Sequence, residues 1–400
     1  MNDWFGLLRP AYSLRAHVPA HAARTLLKAM FTGQGRIVIT PHAIDPDTGL
    51  QSVTIDTDGP LTHHQVRTLL RDRLGEDLVH LTDPALGTAA TGKTTQRLCV
   101  PTADARDLAL LDRDADHRVI THLMLNPDGL DTSSGRRRRV ALLSNATDVL
   151  DLGPLPAPLV LPALESMAVH LRRATGLDIH PIPVDAATPE DFAAAARAIA
   201  PGFAAISLAH THPAHAAAVR AALAGGPAPL ADTATAHAIA TSAATLSTLK
   251  RQDLDPGDAV IVLAGAHLLD GNLVGLLHAN GVGELILADP PTPGAEPLVE
   301  AADLVIDLTG RLPRPSDGTP ILHACLQEPP LLHATAHHPH PLHVLPALVT
   351  VATHGMQPGV GALLAATRTL AGLAEEGRLL PPVDRPGLTQ ALTAAMTADA

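Results

Sequence analysis

Residues 255–270 read Asp-Pro-Gly-Asp-Ala-Val-Ile-Val-Leu-Ala-Gly-Ala-His-Leu-Leu-Asp. Asp255-Pro256-Gly257 is a turn signal, and the short apolar run Ala259 to Leu263 behind it predicts a strand buried on both faces. A helix then runs to Asn280-Gly281, followed by strands at Glu284 to Ala288, Leu304 to Leu308 and Ile321 to Cys325. Upstream, Thr188-Pro189-Glu190-Asp191 predicts a helix start, with Thr as cap, Pro at the first position and an acid two residues on. That helix stops before Pro201-Gly202; a second spans His215 to Ala224, closed by Gly225-Gly226, and a third spans Thr235 to Leu249. Strands alternating with helices at this spacing predict an α/β fold with a parallel, doubly wound, Rossmann-like sheet.

Residues 11–83 have a different rhythm. Tyr12 to Val18, Arg36 to Thr40, Gln51 to Ile55 and Asp77 to Leu81 predict strands, with helices over Ala20 to Met30 and Thr62 to Leu74. That βαββαβ order suits a small ferredoxin-like module, and it looks like an ACT-type regulatory domain, a class that binds small effectors or dimerises. The boundaries are set at 1–83 for this module, 84–225 for a substrate-type domain, 226–372 for the Rossmann-like domain and 373–400 for a helical tail.

Composition narrows the functional classes. The formal net charge is −12, and no dense cationic face is present apart from Arg136-Arg137-Arg138-Arg139, so nucleic acid is excluded as a partner. Aromatic residues make up 2% of the chain, which removes stacking platforms. Two cysteines, Cys99 and Cys325, give neither a disulfide framework nor zinc spacing. With no signal-peptide pattern and no long apolar run, the expectation is a cytoplasmic protein without a membrane segment. There is one Tyr, Tyr12, and there are three Lys, at 28, 93 and 250. Chemistry that needs a Tyr or a Lys has few places to come from. The 23 histidines are unusual, and most are expected on the surface.

Three motifs compete for attention. Gly87 to Thr94 formally matches a phosphate-binding loop, yet Thr95 to Val100 reads extended and Pro101 interrupts it, so no helix opens where phosphate would sit. After the strand Ala259 to Leu263, a dinucleotide fold wants three glycines; Gly265 is present, while His267 and Asp270 stand in the other two places. Asp289, at the end of the next strand, is the candidate for a ribose hydroxyl. Finally, His210-Thr211-His212-Pro213-Ala214-His215, with Asp232 and His237, offers imidazoles and a carboxylate for a transition metal. Pro213 breaks helical spacing there, and capping or surface histidines are the favoured reading.

Taken together, residues 92–372 resemble a bacterial malic enzyme. The resemblance lies in Arg139 to Gly153 (RVALLSNATDVLDLG), Leu161-Pro162-Ala163-Leu164-Glu165, Ala200-Pro201-Gly202-Phe203, Ala205-Ile206-Ser207-Leu208, Leu276 to Asp289 and Pro358-Gly359-Val360. Some members of that family also carry an N-terminal ACT-like module. The resemblance implies oxidation of malate with NAD(P) and decarboxylation on a divalent cation. It further implies a Tyr acid, a Lys base, acidic metal ligands, substrate asparagines and a dimer. On this chain the Tyr position falls at Asp112 and the Lys position at Met167. The Glu-Asp metal pair falls at Ala209-His210, the Asp-Asp pair at Asp232-Thr233, and the asparagines near Gln327 and Ala352-Thr353. Met167 has no titratable group and cannot take a hydroxyl proton, and without clustered carboxylates a hard cation has no oxygen cage. Lys250, read as the end of a helix, suits the helix dipole rather than the base position.

The expectation is therefore a malic-enzyme-like scaffold that has lost the parent reaction, with NAD(P) and metal binding weakened or lost. Its role is ligand binding, regulation or assembly, as a dimer with a possible effector at the N-terminal module. The alternative is rewired chemistry in the same cleft using Asp112, His210 and Asp232.

Overall fold

A computed structural model describes residues 9–29, 35–150, 152–268, 272–288, 302–310, 312, 318–325 and 337–398. The chain divides into two compact units, Met1–Thr95 and Gln96–Ala400.

The first unit contains β1 (Arg9–Pro19), α1 (Ala20–Ala29), β2 (Ile37–Ile44), β3 (Leu50–Thr57), α2 (Pro60–Leu74), β4 (His80–Thr82) and α3 (Pro84–Ala90). Its four-stranded sheet has the order β2-β3-β1-β4, and each neighbouring pair is antiparallel. Alternation decides the faces: Leu14, Ala16 and Val18 of β1 and Val53 and Ile55 of β3 point one way. They bury against Ala22, Ala23 and Leu26 of α1 and against Val66, Leu70 and Leu74, spaced by four along α2. Tyr12 belongs to this unit, edge-on to His63. The phosphate-loop pattern is accounted for here. Asp83 caps α3 by accepting from the amides of Ala85 and Leu86, so Gly87 lies inside a helix rather than in a loop ahead of one.

In the second unit, α4 (Ala105–Ala109) and α5 (Arg113–Leu125) precede two parallel sheets. The first sheet comprises β5 (Arg139–Ser144), β6 (Asp178–Pro183), β7 (Ala205–Leu208) and β8 (Leu230–Asp232) in the order β6-β5-β7-β8. Its helices are α6 (Leu161–Thr175), α7 (Pro189–Ile199) and α8 (Pro213–Leu223). The second sheet comprises β9 (Val260–Ala264), β10 (Glu284–Ala288), β11 (Leu304–Asp307) and β12 (Ile321–His323) in the order β10-β9-β11-β12. Joining them are α9 (Thr233–Arg251), α10 (Asn272–Ala279), α11 (Leu345–Thr353), α12 (Val360–Gly372) and α13 (Leu388–Thr397). The predicted cap of α7 is present: Thr188 accepts from the Asp191 amide at 3.1 Å.

Strand β5 is apolar on both faces because both are covered. Ala141 and Leu143 join Phe192 of α7 and Val219 of α8 in one core. Val140 and Leu142 join a larger core that also holds Leu164 and Leu171 of α6, Ile239 of α9, and Ile261 and Leu263 of β9. One apolar core thus serves a face of each sheet, with α9 running through it. The sequence of α9 is almost all Ala, Thr and Ser on its buried sides, and small side chains let it be surrounded. Lys250 falls in its last turn, as the sequence predicts.

The arginine run is a set of staples. Arg136 donates to the Pro201 and Pro227 carbonyls and pairs with Asp131 at 2.5 Å. Arg138 reaches the Gly176 carbonyl and Asp178.

Candidate functional site

Ligands of parallel α/β sheets gather outside the carboxyl ends of the strands, where the strand order reverses. In the first sheet the chain leaves β5 toward β6 and returns to β7 on the other side, so the reversal lies between β5 and β7. The residues that follow these strands, together with the end of β8, form a polar edge. Asn145 follows β5; its amide group lies 2.8 Å from His215 Nδ1 and donates to the Ala186 carbonyl. Thr147 donates to Asn145 Oδ1 and accepts from the His212 amide at 2.9 Å. Ser144 donates to the His210 carbonyl at 3.0 Å. Desolvation raises the Asp148 carboxyl above the ordinary range despite the opposing field of His212.

The backbone on this edge is strained. Ala146 (φ +55°), Leu150 (φ +50°) and His210 (φ +52°) are non-glycine residues in the left-handed region, a conformation that costs an L-residue about 1–2 kcal/mol. Only one other described non-glycine residue, Asp253, shares it. Burial also pushes the His210 imidazole below its usual value, holding it neutral. His212 acts as a helix cap, its Nδ1 accepting from the Ala214 amide at 3.2 Å.

Next to this edge, Asp232 ends β8 as a buried carboxylate. It caps α9 by accepting from the Thr235 amide at 2.6 Å, and the Arg220 guanidinium lies 2.9 Å from its other oxygen. The pair borders a cavity of about 120 Å³ whose lining includes Thr235, Asn272 and Gln357. Asn272 donates to Thr235 Oγ1 at 3.0 Å and Gln357 to the Leu230 carbonyl at 3.4 Å. That volume is well below the range of drug-sized sites and limits an occupant to a few heavy atoms.

The remaining expected site residues lie elsewhere. Asp112 is an exposed cap of α5, its Oδ1 accepting from the amides of Asp114 and Ala115. Met167 is buried in the larger core, between Leu164 and Leu171 of α6. Gly265 follows β9 at φ +91°, and a Cβ there would sit 2.9 Å from Thr309 Cγ2, so close packing against β11's loop already requires glycine. Asp289, Asp270 and Gln327 lie outside the described residues. His237 lies inside the core on α9, where desolvation first and the field of His343 second lower it to about 4; its Nε2 has no hydrogen-bond partner. His340 is likewise held at about 3, mainly by burial. Against the expectation that most histidines lie on the surface, His340 and His343 are buried at a 3-10 turn (Pro341–His343) against α9. Polar residues that the sequence reading passed over are Asn145, Thr147, Asp148, Arg220, Asn272 and Gln357. The only signal touched the first three: Asn145, Thr147 and Asp148 fall inside Arg139 to Gly153, a stretch that carries the family resemblance.

Neither group implied by the resemblance fits the residues at hand. A divalent cation needs several oxygen ligands, whereas the one carboxylate of the cavity is already matched by a guanidinium. Among the described residues no set of three or more His, Cys, Asp or Glu side chains could hold a metal ion. At the β9 turn, the close approach at Gly265 is filled by Thr309 rather than left open for a pyrophosphate.

No protein-family model matches the chain. Over 117 residues, 29% of its length, it is 30% identical to an NADP-dependent malic enzyme of Halomonas elongata, of which that stretch covers 28%. Over 134 residues it is 28% identical to an NAD-dependent malic enzyme of Geobacillus stearothermophilus, again covering 28% of the relative. The matched segments thus span under a third of these curated relatives. In fold the likeness is wider. The crystal structure of an NAD-dependent malic enzyme from Thermotoga maritima superposes with a TM-score of 0.71 at 18% identity, covering 79% of this chain and 99% of that one. A malic enzyme from Entamoeba histolytica gives 0.69 at 16% identity, covering 79% and 80%. The chain therefore has the α/β fold of malic enzymes and a stretch of similar sequence. No helix among the described residues is long and apolar enough to cross a membrane.

Proposed function

We propose that this malic-enzyme-like chain does not carry out oxidative decarboxylation of malate and instead uses the carboxyl edge of its first parallel sheet to bind a small anionic ligand. The observation that carries this reading is the Arg220–Asp232 pair in the cavity. An aspartate already paired with a guanidinium and with its own helix amide is a poor metal ligand, while a part-exposed guanidinium beside a small polar cavity suits a carboxylate or similar anion. Met167, buried in the core, supports the same conclusion from the side of acid–base chemistry, since nothing at that position can take a proton. The N-terminal unit, with its antiparallel β2-β3-β1-β4 order, is read as a ferredoxin-like module of ACT type that serves regulation or effector binding, and the protein as a cytoplasmic one.

The test is a thermal-shift screen with NAD, NADP, Mg²⁺, Mn²⁺ and small mono- and dicarboxylates, run beside an assay for NAD(P)H production from malate and Mn²⁺. A ligand of the folded state must raise apparent stability. The expected result is a shift with a small carboxylate, lost in Arg220→Leu, and no reduced cofactor. Turnover of malate with Mn²⁺ would overturn the proposal.

A second reading rests on the strained edge. Backbone strain at Ala146 and His210, beside a carboxyl raised by burial at Asp148, is the kind of arrangement that acid–base chemistry uses. It shifts the rewired-enzyme alternative from Asp112, which caps a helix, to Asp148 with His210 and His212, next to Asp232. Activity toward a substrate class that disappears in Asp148→Asn would favour it.

A further inference from the structure

The buried turn Pro341–His343 is held together by imidazoles. His340 caps it: its Nδ1 accepts from the Leu342 amide at 3.1 Å, and the His340 amide donates to His343 Nδ1 at 3.2 Å. Both bonds need an unprotonated ring nitrogen, because an imidazolium has two donors and no acceptor. The rings are shut off from water, His340 and His343 at 1% exposure and His237 of α9 at 2%. Three charged-or-titratable neighbours act on His340: His343 of the turn, His237 of α9 and His170 of α6. His237 in turn feels His343, and His170 feels Arg173. None of these groups is a carboxylate, and α11, which the turn leads into, carries no titratable side chain. His237 Nε2 has no hydrogen-bond partner among the described residues, so a charge on that ring has no anion to face. Asparagine in place of His340 would make the same bond to the amide two residues on; what imidazole adds is sensitivity to protons.

We propose that this histidine turn is a proton-operated latch on the wall of the Arg220–Asp232 cavity. Neutral, it holds the start of α11 against α9; protonated, it lets that segment go, and the cavity loses its ligand. The geometry ties latch to cavity through two helices. Thr235 of α9 and Leu348 of α11 both line the cavity. On α9, His237 follows Thr235 by two residues; on the other side, the turn that ends at His343 runs into α11 through the buried Val344 and Leu345. The helices that the histidines join are therefore the helices that wall the cavity. In the opened turn the rings titrate near 6.5, so opening takes up protons. It is favoured about tenfold per pH unit for each histidine released, as pH falls below that value. Control of a ligand rests on the reading of the cavity as an anion site, whereas the latch itself does not.

The test is hydrogen exchange of the full chain at pH 6.5 and pH 5, normalised to the intrinsic rate, beside His340→Asn plus His343→Gln. Asn accepts from the amide two residues on, and Gln at that position reaches back to the cap amide, so the variant rebuilds the turn with acceptors that do not titrate. In the parent chain, protection over residues 342–348 should fall at least about a hundredfold, the effect of two histidines released per opening, while β5 and β7 stay protected. In the variant the fall should be no more than about twentyfold, which His237 alone can supply. If the double variant does not fold, His340→Asn alone must still reduce the parent's loss by about tenfold. Formate, which stays ionised at pH 5, reads the coupling: its thermal shift at pH 7 should vanish at pH 5 in the parent and persist in the variant. Protection that ignores pH, or falls equally in parent and variant, overturns the latch. A formate shift that survives at pH 5 while protection falls overturns the coupling. No formate shift at pH 7 overturns the cavity reading, and the exchange result then decides the latch by itself.

Discussion

Two buried aspartates end parallel strands in the second unit, and they are used in opposite ways. Asp307 ends β11 and is consumed by its own loop: its oxygens accept from the amides of Thr309, Gly310 and Leu312 and from the Thr309 hydroxyl, and lie 3.4 Å from His323 Nδ1. Desolvation alone would raise its carboxyl, but His323, Thr309 and Leu312 outweigh that and hold it at about 2. Asp232 ends β8 with one amide and one guanidinium, and its pair faces a cavity. A carboxylate whose acceptor capacity is filled by its own loop is a structural rivet; one that holds a part-exposed arginine at a cavity presents that arginine to a ligand. The same residue type at corresponding strand ends therefore means fold in one sheet and binding in the other.

The largest expected effect breaks this comparison directly. Asp307→Ala strands several buried donors and should cost about 3–5 kcal/mol, read as a lower urea midpoint. Asp232→Asn keeps the shape and one acceptor for the Thr235 amide, and Arg220, already part-exposed, regains water, so about 1–2 kcal/mol is expected. Equal losses at the two positions would erase the distinction between rivet and ligand site.

An intermediate effect comes from α9, which runs from one aspartate's sheet to the other. His237 is held neutral down to about pH 4, whereas in the unfolded chain it titrates near 6.5. Between those values the unfolded chain binds more protons, so stability is complete above about 6.5 and falls as pH drops toward 4. At 1.36 kcal/mol per unit this amounts to about 3 kcal/mol for His237. His340 contributes in the same direction over the same range. Asp307 responds later: its stabilising charge is present above about 3.8 and is lost as pH falls through about 2. Urea titrations at pH 7, 5.5 and 4.5 should therefore show the histidine loss first, and His237→Leu should flatten the slope. A pH-independent midpoint over that range would remove the buried-neutral assignment.

Much of the frame was legible in the residues. Turn signals and apolar runs located β9 to β11, Thr188 marked its cap, and the βαββαβ order set the first unit apart from the strand–helix alternation behind it. The site was legible only in part, for reasons of distance and geometry. Arg220 meets Asp232 across the β7–β8 connection, and no local pattern announces that pairing. The Arg136 to Arg139 run looked cationic because its acceptors, the carbonyls of Pro201 and Pro227, lie more than sixty residues away in sequence. His340 and His343 looked like surface residues because a Pro/His-rich stretch carries no apolar period, yet the turn they form packs against small residues of α9. Left-handed backbone at Ala146 could not be foreseen, since alanine does not favour it, and at His210 no turn signal singled out that histidine among many.

That last feature supplies the finest comparison, between strain beside the candidate site and strain far from it. Asp253 occupies the left-handed position after α9, where the Leu254 amide reaches back to the Leu249 carbonyl, a helix end that ordinarily takes glycine. It is exposed, so Asp253→Gly should raise stability by about 0.5–1 kcal/mol with no effect on any ligand response. His210 has the same backbone, and its carbonyl rather than its imidazole takes the hydrogen bonds from Ser144 and Asp148. His210→Gly keeps both and relieves the same strain, so a gain of similar sign, reduced by the lost packing of a half-buried ring, is expected. The two variants part company in the thermal-shift screen. If the strain at the β5–β7 edge is maintained for binding, His210→Gly gains stability but loses part of the carboxylate-induced shift, while Asp253→Gly retains all of it. An unchanged shift in both would make the strained edge a consequence of the loop's path alone and leave Arg220 and Asp232 as the whole of the site.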